Sequence, residues 1–119
     1  ASVILGLPGE DMASMEATLR WVLENRPDRV NICTYIPFPG TPISKGAEPG
    51  RISEYGRDAV HEYDIKMEID TALIDGDYFY AGSRDKLQVV TSTSFLTREE
   101  IQKFWQYASE RVEAAGIPY

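Results

Sequence analysis

Apolar positions open the chain as a run from Ser2 to Leu7, closed by Pro8-Gly9, the pattern of a strand buried on both faces. From Asp11 to Asn25 the period lengthens. Met12, Met15, Leu19, Val22 and Leu23 recur at helical spacing while Glu16, Arg20 and Glu24 fall elsewhere. Asp11 is placed to cap this helix, and Pro27 stops it at or before Arg26. Val30 to Ile36 then alternates, with Val30, Ile32, Thr34 and Ile36 on one side and Asn31, Cys33 and Tyr35 on the other. Strand, helix and strand with short connections predict a βαβ unit with parallel strands.

Prolines and glycines then interrupt regular pairing across residues 37–50. Ile52, Tyr55, Ala59, Val60, Tyr63 and Met67 predict a helix, weakened by Gly56. Residues 70–76 read as loop. Tyr78 to Ala81 and Leu87 to Val90, separated by Gly82-Ser83-Arg84-Asp85, predict a β-hairpin. The final helix has the fullest signature. Thr97 and Glu100 form a capping box, Ile101, Phe104, Trp105, Ala108, Val112 and Ala115 make the stripe, and Gly116 ends it.

The 119 residues suit one domain with a modest core, and 43% hydrophobic with 26% charged residues is an ordinary globular balance. No apolar run approaches the roughly 18 residues of a membrane span. A formal charge of −7 argues against a nucleic-acid surface, which needs clustered positive charge. Cys33 is the single cysteine, which excludes an internal disulfide and any multi-cysteine metal site, and fits a reducing, cytoplasmic setting.

Two loops carry candidate chemistry. Gly6-Leu7-Pro8-Gly9-Glu10 sits where a parallel strand hands over to a helix, the sheet edge where α/β proteins place ligands. Its glycines let backbone approach a bound molecule, and the helix start favours an anion. On spacing alone, plain turn chemistry is the simpler account, with Glu10 complementing the helix dipole. Pro37-Phe38-Pro39-Gly40-Thr41-Pro42 opens on the same edge after the second strand, as a stiff rim or as a rigid connector.

Together, Ile4-Leu5-Gly6-Leu7-Pro8-Gly9-Glu10, the helix, Pro27-Asp28, the second strand and Pro37 to Pro42 resemble the late part of radical S-adenosylmethionine (SAM) enzymes. The likeness is closest to the group that often carries a cobalamin-binding domain, and methylthiotransferases resemble the first motif too. The resemblance implies an α/β fold (α+β for the isolated piece). Residues 1–43 would be the last βαβ unit of a partial (βα)6 TIM-like barrel, and residues 44–119 a C-terminal extension with a hairpin and terminal helix. The chain, which begins inside a strand pattern, would be a piece whose partner is the missing N-terminal half. It further implies that Ile4 contacts the SAM adenine, that Gly6 and Gly9 allow close approach, and that Glu10 is a polar neighbour or a cap. Cys33 and Tyr35, or alternatively Thr34, would face the cavity.

The longer parent would then be an oxidoreductase or methyltransferase using a [4Fe–4S] cluster and SAM, with or without cobalamin. The family's CxxxCxxC motif is absent, so this polypeptide alone holds no cluster and is inactive. The alternative is an acidic α+β interaction module without catalysis. Cys33 taken alone reads as a small core residue, His61 as solvated or packed, and Glu62 and Asp64 as a solvated helix face. Tyr78, Phe79, Tyr80, Phe104 and Trp105 read as core before pocket. Exposed strand edge predicts self-association, with neither nucleic acid nor membrane as a partner.

Overall fold

A computed structural model describes residues 1–36, 64–68 and 89–119. The predicted βαβ unit is present at the N-terminus. Strand β1 spans Ser2–Leu5, helix α1 spans Met12–Asn25 and strand β2 spans Asn31–Thr34. The strands pair in parallel, with Ser2 opposite Asn31, Val3 opposite Ile32, Ile4 opposite Cys33 and Leu5 opposite Thr34.

Helix α1 starts where expected. The Asp11 carboxylate accepts from the Ser14 amide at 2.8 Å, and the Ser14 hydroxyl accepts from the Asp11 amide at 3.1 Å, a complete capping box. It ends at Arg26, left-handed at φ 45, because Pro27 has no amide hydrogen to continue the ladder. Met15, Leu19 and Val22 are buried. Met12, expected in the stripe, is 36% exposed, since its position in the first turn extends past the core.

The C-terminal helix α2, Arg98–Ala114, is capped reciprocally by Thr97 and Glu100 as its sequence predicts. Ile101, Phe104, Trp105, Ala108 and Val112 are buried, and left-handed Gly116 turns the chain away. These join Leu5, Met15, Leu19, Val22, Val30 and Ile32 in one core. The βαβ unit and α2 therefore fold as one body, with the helices on the face of the sheet that carries Val3, Leu5 and Ile32.

Two expectations need correction. Strand β1 is not buried on both faces: Leu5 is 1% exposed but Ile4 is 43% exposed. The helices cover the side reached by alternate residues, and the described elements leave the other side open. The helix expected to reach Met67 does not. Asp64 takes φ 48, Ile65 is fully buried, and Lys66–Met67 form a short strand β3. It pairs antiparallel with β4, Thr91–Ser92. The Val90 carbonyl accepts from the Glu68 amide at 2.7 Å, so the end of the expected hairpin strand bonds to the residue that follows β3. The Pro37 to Pro42 loop, most of the middle helix with His61 and Glu62, the loop at 70–76 and the hairpin residues 78–88 lie outside the described residues.

Candidate functional site

The predicted site residues gather at one end of the two-stranded sheet. Because side chains alternate across a strand, Leu5, Ile32 and Thr34 share the packed face and Ile4 and Cys33 share the open one. This separates the alternatives read from the second strand. Thr34, 8% exposed, points into the packing, while Cys33 and Tyr35, both half-buried, lie on the side of Ile4. Burial pushes both the Cys33 thiol and the Tyr35 phenol above their ordinary values. Both groups are thus neutral at neutral pH, on a face that alternation gives the polar Ser2 and Asn31 as well.

The glycine turn holds itself together. Gly6 and Gly9 are left-handed at φ 77 and φ 78, a conformation that costs other residues energy. The Gly6 amide donates to the Glu10 carboxylate at 2.8 Å, and the Glu10 amide donates to the Leu7 carbonyl at 2.9 Å. Glu10 therefore caps its own turn. A Cβ on Gly6 would lie 3.3 Å from two carbons of Ile101, so the space freed there receives α2. At the start of α1, the Asp11 carboxylate occupies the Ser14 amide, one of the group that would otherwise favour an anion.

Sequence reasoning missed the residues that brace this turn from far along the chain. The Gly9 amide donates to the Asp64 carbonyl at 3.4 Å, and the Thr93 hydroxyl donates to the Glu10 carbonyl at 2.9 Å. Asp64 also accepts from the Ser94 amide at 3.0 Å. Thr93 closes a local turn by accepting from the Phe95 and Leu96 amides, a pattern its place just ahead of the α2 cap could have suggested. Nothing local marks Asp64 as a partner of Gly9. Phe104 and Trp105, read as core, are core: Trp105 donates its indole N–H to the Ile32 carbonyl at 2.9 Å.

The donor set does not fit an iron–sulfur cluster. Among the described residues no group of three His, Cys, Asp or Glu side chains could hold a metal ion, and Cys33 stands without a second thiol. On the open face the Ile4 side chain is accessible beside the Cys33 position. Among the described residues no helix is long and apolar enough to cross a membrane.

No family model matches the chain, and no solved structure matches it. A stretch of 68 residues, 56% of the chain, is 34% identical to a probable threonylcarbamoyladenosine tRNA methylthiotransferase from Pyrococcus abyssi. The match spans 16% of that relative's length. The likeness is distant and partial, and it is to an enzyme of the radical SAM superfamily.

Proposed function

We propose that this chain is the closing βαβ unit and C-terminal extension of a radical SAM catalytic core, contributing one wall of the SAM cavity. The observation that carries the reading is the open face of β1 and β2. Ile4 and Cys33 sit side by side there, next to a self-capped glycine turn at the C-terminal end of β1. The cluster and SAM, bound in the longer protein, supply the radical chemistry. The residues here supply shape and exclusion of water. Ile4 offers an apolar contact to a ring, and Gly6, Gly9 and Glu10 hold the turn beside it. Cys33 and Tyr35 stay protonated through neutral pH, which keeps charge and thiolate nucleophilicity away from a reactive centre.

The form of the Pro37 to Pro42 loop favours the cobalamin-carrying group, whereas the curated relative is a methylthiotransferase. Transfer RNA is not carried over as substrate, because 19 acidic against 12 basic residues make this segment a poor phosphate surface.

The test is to read the coding sequence upstream of Ala1 and express the longer protein without oxygen. The expected result is a CxxxCxxC motif, a cluster absorption band, and SAM affinity that falls in Ile4→Asp while the iron content holds. Bound cobalamin separates the two subgroups. A parent lacking both the motif and iron refutes the proposal and leaves the interaction module.

A further inference from the structure

The glycine turn is held from far along the chain at both glycines and at its last residue. A Cβ on Gly6 would lie 3.3 Å from two carbons of Ile101, in α2. The Gly9 amide donates to the Asp64 carbonyl at 3.4 Å, and the Glu10 carbonyl accepts from the Thr93 hydroxyl at 2.9 Å. The Glu10 carboxylate in turn holds the Gly6 amide at 2.8 Å. The shape of the turn is thereby tied to how the C-terminal part of the chain is seated.

Thr93 is the joint. A threonine hydroxyl has one proton to donate and two lone pairs to accept with. The Phe95 and Leu96 amides donate to its oxygen at 3.2 and 3.1 Å, just ahead of α2. With both lone pairs engaged, the proton is left for the Glu10 carbonyl. Asp64 adds a second strap, since its carboxylate accepts from the Ser94 amide at 3.0 Å while its carbonyl takes the Gly9 amide. Asp64 carries two costs in this place: a left-handed φ of 48, and a carboxylate oxygen, Oδ2, buried without a hydrogen-bond partner. Such costs persist only where the surroundings over-determine the conformation.

We infer that Thr93 is a positioning residue for the glycine turn. It fixes the Glu10 peptide so that the Glu10 carboxylate stays on the Gly6 amide, and it makes the wall beside Ile4 depend on the seating of α2. The consequence for SAM rests on the reading of that wall as part of a SAM cavity; the mechanical coupling does not.

Thr93→Val keeps the shape of the side chain and removes the hydroxyl, and Thr93→Ser keeps the hydroxyl. Amide hydrogen exchange of the 119-residue chain compares them, with Val22 inside α1 reporting the global opening. The Gly6 and Glu10 amides are expected to exchange about fivefold faster relative to Val22 in Thr93→Val, and to recover in Thr93→Ser. Acceleration confined to Phe95 and Leu96 shows a hydroxyl that serves only its own turn and overturns the inference, as does no acceleration or one equal to that at Val22. Where Thr93→Val fails to fold by circular dichroism, the unaltered chain decides. A shared opening of Gly6, Glu10 and Leu96, more frequent than that at Val22, supports the coupling, and any other pattern overturns it. In the longer parent, SAM affinity is expected to fall about fivefold in Thr93→Val at constant iron content and to return in Thr93→Ser. Unchanged affinity overturns the positioning role. A parent that binds no SAM defeats the cavity reading, and the exchange result then decides the coupling.

Discussion

The Ile32 carbonyl invites a double-mutant cycle, because it accepts two side-chain donors from the C-terminal part of the chain. Trp105 and Tyr119 each donate at 2.9 Å, and Ile32 is only 3% exposed. Tyr119→Phe removes one donor while Trp105 keeps the carbonyl satisfied, so the cost is that of an ordinary hydrogen bond, about 1 kcal/mol. Trp105→Phe removes the other donor and also leaves space in the core, for about 2–3 kcal/mol. The double variant leaves a buried carbonyl without a partner and adds roughly 1–2 kcal/mol beyond the sum of the singles. Urea unfolding followed by far-ultraviolet circular dichroism measures all four corners, with unchanged slopes as the check on two-state behaviour. Additivity to within about 0.3–0.5 kcal/mol would refute the shared acceptor.

Gly6→Ala is expected to cost more than Gly9→Ala. Both impose a left-handed strain of about 1–2 kcal/mol, but only Gly6 sets its new methyl 3.3 Å from Ile101, against 3.9 Å from the Asp64 carboxylate at Gly9. Equal thermal midpoints for the two variants contradict this. Ser109→Ala is expected to stabilise the protein by about 1 kcal/mol. The hydroxyl is buried in α2 without a hydrogen-bond partner, and alanine is the better helix former; a lower melting temperature refutes it. Cys33 is expected to react with iodoacetamide at pH 8 more slowly than an exposed cysteine, because burial raises its thiol. The linked stability is fully present below the unfolded thiol's pKa and is lost as pH rises through the higher folded value. Cys33→Ala removes that alkaline loss, and an unchanged alkaline profile speaks against the assignment.

Helices α1 and α2 were legible from spacing and caps, since Asp11 with Pro27 and Thr97 with Glu100 act within a few residues of themselves. The parallel strands were legible as well, although not their ends. The composition of the open face was readable only in part: alternation grouped Cys33 with Tyr35, with Thr34 kept as the alternative. Choosing between them required knowing which face the helices cover. The braces of the glycine turn come from Asp64 and Thr93, and the partners of the Val30 amide and Ile32 carbonyl come from Trp105, Pro118 and Tyr119. Local periodicity reports what a residue needs from its immediate neighbours, such as a cap or a buried side. It carries no information on which distant carbonyl will be left facing an indole once the chain has closed. That pairing was decided by the tertiary packing of α2 against the sheet, which also determined the exposed side of Ile4.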